Sequence, residues 1–156
     1  MTRQRNLKTV AILVLTALPL AGGVVRGREP KEPVFKYAGG TEDIASDCHG
    51  RVQLSAEALS FRCAQRTVEV PYATIVLMQY RPDVAPKVRG MNLNWKVNPP
   101  HGGGKKNRYF SLVYNQNASP HVIVLEAPPD IMRPYLAEID LKSGKRVEVR
   151  GYEKYE

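Results

Sequence analysis

The stretch that decides the fold reads Gly50-Arg-Val-Gln-Leu54, then Ser55-Ala-Glu-Ala58, then Leu59-Ser-Phe-Arg-Cys63. Val52 and Leu54 share one face of the first run, and Leu59, Phe61 and Cys63 share one face of the second. Two-residue periodicity on both sides of a short polar segment predicts a β-hairpin. With Ala56 and Glu57 at the turn tip, Gly50 falls opposite Cys63. Cys48 then lies on the Cys63 face one diagonal step away, at about 7 Å. That distance is within reach of a disulfide after slight adjustment. The bridge would close a loop of roughly 15 residues and contribute about 3 kcal/mol.

The same alternation continues outward from the hairpin. Thr67 to Val70 reads as a strand stopped by Pro71, which cannot donate to a ladder. Ile75 to Tyr80 is a nearly continuous apolar strand of the central kind. Residues Arg81 to Gly90, with Pro82 and Pro86, read as a loop. Met91 to Val97 alternates again, with Met91, Leu93, Trp95 and Val97 on one face, and predicts a further strand. Asn98 to Asn107 is a long turn, Tyr109 to Tyr114 and His121 to Leu125 are two more strands, and Arg146 to Val149 is an edge candidate. Between them Ile131, Met132, Tyr135, Leu136 and Ile139 recur every three or four residues. That period predicts one amphipathic helix from Pro129 to Ser143, stopped by Gly144. Pro134 fits such a helix only in its first turn or at a kink.

A chain of 156 residues that is 43% hydrophobic suits one globular domain. A multidomain enzyme, a polytopic membrane protein and a disulfide-dense miniprotein are excluded. The formal charge is +8, but part of it belongs to an export signal. Arg3, Arg5 and Lys8 precede the apolar stretch Val10 to Leu20, and Ala21, Gly22 and Gly23 follow it. This is the three-part build of a signal peptide over residues 1–23. The apolar run is shorter than the roughly 20 residues of a spanning helix, so an uncleaved anchor is the alternative. Residues 24–33, with two prolines and five charges, read as a linker. The β domain is then residues 34–150, followed by a charged tail at 151–156. Loss of three basic residues with the signal leaves +5. In a periplasmic or secreted protein an even pair of cysteines predicts a disulfide, not a nucleophile.

Mainly β structure, with six to seven antiparallel strands followed by one C-terminal α-helix, resembles a pleckstrin-homology-like (PH-like) partly open barrel whose helix closes one end. Gly50 to Leu54, Leu59-Ser-Phe61 and Val68-Glu-Val-Pro-Tyr-Ala-Thr-Ile75 carry the resemblance. Bacterial PH-like and GRAM-like domains run Gly-x-Leu, Leu-x-Phe and Ile-Pro-Tyr-x-x-Ile. The chain is also similar to a group of uncharacterised exported bacterial proteins that share Tyr-x-Gly-Gly-Thr, here Tyr37 to Thr41, and Ser-Gly-Lys after the helix. The resemblance implies a binding module with no catalytic residues, either for lipid headgroups or for protein partners. Its usual headgroup loop, here Ser55 to Ala58, is short and acidic.

The densest positive charge is Arg81, Lys87, Arg89, Lys96, Lys105, Lys106 and Arg108 against Asp83 alone, net +6. With Tyr80, Trp95 and Tyr109 nearby, these loops are the expected site for an anionic lipid, an envelope polymer or a protein partner. The alternative is a solvated face that keeps the protein soluble. The remainder of the mature chain sums to −1, so the basicity is local. Nucleic acid would suit the charge but is not an expected partner of an exported monomer. Gly102-Gly-Gly-Lys-Lys106 is not a phosphate loop: Pro99 stands where a glycine is needed and Lys106 where a Ser or Thr is needed. His49, His101 and His121 lack metal-ligand spacing, and no cofactor is expected. Asp47-Cys48-His49 places a thiol beside a base, but neighbours on a strand point to opposite faces. A small hydrolase built on some of the fifteen carboxylates, and a structural accessory subunit of an envelope complex, are the rival classes.

Overall fold

The computed structural model describes residues 32–102 and 108–151. The segments expected to be a signal peptide and most of a linker, the tail beyond Gly151, and Lys105 and Lys106 lie outside the described residues. Eight strands form one open sheet: β1 Phe35–Gly40, β2 His49–Leu54, β3 Ala58–Cys63, β4 Arg66–Pro71, β5 Ile75–Arg81, β6 Tyr109–Gln116, β7 Ser119–Glu126 and β8 Glu148–Val149. Their order is β4-β3-β2-β1-β7-β6-β5-β8. Two antiparallel meanders, β1 to β4 and β5 to β7, are thus joined through the β1–β7 pair.

The deciding hairpin has the register expected of it. Arg51 pairs with Arg62 and Leu54 with Leu59, and Ser55 N–H donates to Ala58 O at 2.9 Å. The diagonal placement of the cysteines follows, and Cys48 and Cys63 are disulfide-bonded with their Cα atoms 6.2 Å apart. A bond of this kind persists in oxidising, extracytoplasmic compartments. Among the described residues no helix is long and apolar enough to cross a membrane.

The inner face of the sheet and one helix enclose the main core. Phe35, Val52, Leu59, Phe61, Ile75, Tyr80, Phe110, Leu112, Ile123 and Leu125 are buried there. Helix α2, Pro129–Ser143, supplies Met132 and Ile139, has Gly144 as a left-handed cap with φ 63°, and matches the expected bounds. Pro134 lies in its second turn, where one intrahelical bond is lost. Tyr135 meets Phe35 edge-on at 5.0 Å, and Lys142 Nζ donates to Leu54 O at 2.6 Å. These contacts seat the helix over the end of the β2–β3 hairpin.

Three expectations are corrected. Phe35–Gly40 is a strand that alternation does not reveal, because five of its six residues are buried. A bulge at Ala38 bends it between the two meanders. Met91 to Val97 is not a strand. Leu93 N–H bonds Met91 O and Trp95 N–H bonds Leu93 O, each at 2.9 Å, so the amides close tight turns and only Val97 bridges to Gly40. The sheet is also not wholly antiparallel, since β8 runs parallel to β5.

Candidate functional site

Residues 82–102, which follow β5, form a flap on the outer face of the sheet. Within it, Pro86–Arg89 makes one helical turn, α1, where a plain loop was expected. Val84, Ala85, Val88 and Leu93 are buried against Ala38, Val113, Val122 and Val124, with Trp95 and Met91 packed at the margin. A second small core therefore holds residues 84–95 of the basic stretch against β1, β7 and β6. The sequence reads Gly39 as part of a motif, and the structure supplies the reason. A Cβ there would stand 2.8 Å from Pro99 N and 2.9 Å from Val97 O, so the flap can lie on β1 only over a glycine.

The expected basic residues divide into two kinds. Arg81 pairs with Asp83 at 3.3 Å. Arg89 Nε donates to Val84 O at 3.0 Å, and its Nη2 donates to Pro100 O, so it fastens the two ends of the flap. Arg108 is wholly buried: Nη1 donates to Gly151 O at 2.8 Å, Nη2 donates to Arg150 O, and the guanidinium lies 4.9 Å from the Tyr80 ring centre. It holds the C-terminal segment and is not presented to solvent. Lys87 and Lys96 are exposed.

Arg89, Trp95, Asn98, Pro99 and His101 line an open cleft of about 210 Å³ in this flap. A half-buried indole, a guanidinium already oriented by two carbonyls, a carboxamide and an imidazole converge on one hollow. An aromatic face takes the apolar side of a flat ring, while Arg and Asn supply oriented polar contacts for an acid or hydroxyl group. Trp95 serves both the outer core and the cleft.

A second cluster includes Tyr37 and Thr41, the ends of the Tyr-x-Gly-Gly-Thr motif, but its centre at Glu42 is not marked in the sequence. Glu42 Oε1 accepts the Tyr114 hydroxyl at 2.7 Å and His121 Nδ1–H at 2.9 Å, and lies 3.0 Å from Thr41 Oγ1. Tyr37 O–H donates to Glu42 O at 3.3 Å. Residues 41–48 cross the end of the core here, with Ile44 buried, and Arg66 ties the β3–β4 turn to Asp43 at 2.6 Å. The Thr41 hydroxyl accepts Val122 N–H at 3.1 Å and Thr41 is buried, so among the described residues this hydroxyl beside His121 is not presented as a nucleophile. His49 and His101 stand elsewhere, and among the described residues no set of three or more His, Cys, Asp or Glu is placed to hold a metal ion.

The cluster has a pH consequence. Burial first, then the Glu42 carboxylate, pushes the Tyr114 phenol up, and burial with Glu42 does the same to Tyr37. Above about pH 10 an unfolded tyrosine releases its proton while these two retain theirs. The folded state then binds more protons, so stability is full below about pH 10 and falls as pH rises beyond it. Urea midpoints should hold to about pH 9 and drop by pH 11, and Tyr114→Phe should flatten that drop. An equal slope in the variant would show that Tyr114 is not the source.

No protein-family model matches the chain, and comparison with curated protein sequences finds no match.

Proposed function

We propose that this is an exported binding domain of PH-like architecture, periplasmic or secreted, that takes an anionic polymer of the cell envelope in the Trp95 cleft. The observation that carries the reading is the convergence of Arg89, Trp95, Asn98 and His101 on one hollow within the most basic stretch of the chain. Exposed Lys87 and Lys96 raise the positive potential of the flap and draw a polyanion toward it. The two meanders and the following helix support the PH-like outline. The family's usual headgroup loop is a poor lipid site, because Ser55 Oγ already accepts Glu57 N–H at 3.2 Å and Ala58 N–H at 3.0 Å. Binding is favoured over catalysis, since the buried Thr41 hydroxyl offers no attacking group.

The chain has a single tryptophan, so the emission of Trp95 reports the cleft directly. Polygalacturonate should change that emission at low salt, and the effect should shrink as salt rises. By calorimetry Trp95→Ala should lower affinity about tenfold, the loss of one stacked ring. Vesicles of anionic phospholipid form the second arm. Binding of vesicles alone, or unchanged polymer affinity in Trp95→Ala, would overturn the assignment.

A further inference from the structure

Asn98 lines two hollows at once. On one side is the Trp95 cleft, and on the other is an open hollow of about 410 Å³ whose walls include Lys36, Ser46, Asp47, Tyr109 and Glu126. The ridge between them is fixed, because the backbone from Val97 to Pro99 rests on Gly39 and Val97 is bridged to Gly40. The two hollows therefore keep a constant relation set by β1.

Among the described residues their charges are opposite in sign. The first presents Arg89 with no carboxylate on its walls. In the second, Lys36 Nζ lies between Asp47 at 3.1 Å and Glu126 at 2.9 Å, one cation against two carboxylates. Asp47 is largely exposed and so has acceptor capacity left for a ligand. The Asn98 carboxamide, both donor and acceptor, can serve a ligand on either side of the ridge.

We propose that the hollows are successive subsites of one saccharide groove. An acidic sugar unit lies on Trp95 beside Arg89, and the neighbouring unit presents hydroxyl or amino hydrogens to Asp47 and Glu126. This rests on the reading of the Trp95 cleft as an anionic-polymer site and adds a specificity to it. A polymer with an acid on every unit must set one carboxylate against Asp47 and Glu126. A polymer that alternates acidic with neutral or amino sugars need not, and is preferred for that reason.

The experiment compares two tetrasaccharides by calorimetry: one from hyaluronate, in which uronic acid alternates with an N-acetylated amino sugar, and tetragalacturonate, in which every unit is acidic. The native protein should bind the alternating one about tenfold more tightly, a difference of the size that one mismatched contact produces. Asp47→Asn keeps the left-handed backbone at φ 62°, which Asn tolerates, and should reduce the preference. Asp47→Asn combined with Glu126→Gln should abolish it. Equal affinity for the two probes, or a preference that survives both variants, would overturn the two-subsite groove while leaving the Trp95 assignment standing. Failure of both probes and of polygalacturonate would bring down both.

Discussion

Replacing Arg108 with Met should lower the melting temperature by about 10 °C, in the absence of any ligand. Arg108 is one of the cations that sequence counts toward a binding surface, yet it is fully buried beneath the C-terminal segment. Its guanidinium donates to the carbonyls of Arg150 and Gly151 and rests near the Tyr80 ring. Arg150 N–H in turn donates to Tyr80 O at 3.1 Å, and Tyr80 O–H to Ala127 O at 2.9 Å. One side chain thus joins the start of β6, the interior of β5 and the chain after β8. Hydrogen bonds from a charged donor contribute about 1.5–3 kcal/mol each, and removal of this donor deprives two part-buried carbonyl oxygens of their partner. Allowing for the desolvation cost of burying the guanidinium, a net loss of about 3 kcal/mol follows. For a domain of this size that corresponds to roughly 10 °C. Arg108→Lys should recover little of it, since an ammonium cannot reproduce the planar fork. Lys87→Met and Lys96→Met, on exposed positions, should stay within about 0.5 kcal/mol of the native protein. Thermal denaturation of the four variants decides. A change in Arg108→Met no greater than in the lysine variants would show that the buried contacts are dispensable.

Arg108 also shows why the fold is more legible in the sequence than the site. Alternation and the 3.6-residue period are local signals, and they place the β2–β3 hairpin, its disulfide and helix α2 because each answers to neighbours within a few residues. Charge carries no such mark. Arg81, Arg89 and Arg108 look like Lys87 and Lys96 on paper, but three of them satisfy Asp83 or backbone groups. Met91 to Val97 is instructive in the opposite direction. Its alternation is real, with Leu93 buried between exposed Asn92 and Asn94, but the same burial arises from consecutive tight turns lying on another strand. Period fixes which side chains face inward and says nothing of where the amides bond. The Glu42–His121 contact at the centre of the second cluster leaves no trace, since the two residues are 79 apart and meet only when β1 pairs with β7.

Removing the disulfide should cost about 3 kcal/mol and loosen one end of the core before the rest. In Cys48→Ala with Cys63→Ala the crosslink across 15 residues is lost, and chain entropy of that loop alone predicts this magnitude. Alanine is the appropriate replacement, because Cys63 is buried and a serine hydroxyl would add a separate polar penalty. Cys48 ends the crossing segment 41–48, which Tyr37 N–H also holds through Cys48 O at 2.8 Å and Asp47 N–H through Tyr37 O at 3.0 Å. Besides those backbone bonds, loss of the disulfide leaves the buried Ile44, the Lys36–Asp47 and Arg66–Asp43 pairs and the Glu42 hydrogen bonds. The Arg66–Asp43 pair is exposed and contributes little. Amides of residues 41–48 should therefore exchange with solvent faster by a larger factor than those of β6 and β7, which lie in the interior of the sheet. Because Asp47 borders the second hollow, the same variant should weaken the preference for the alternating saccharide while preserving the Trp95 emission change caused by polygalacturonate. Denaturant midpoints with hydrogen exchange test this directly. A loss under about 1 kcal/mol, with uniform exchange across the sheet, would mean that Ile44 and Glu42 hold the segment without the bond.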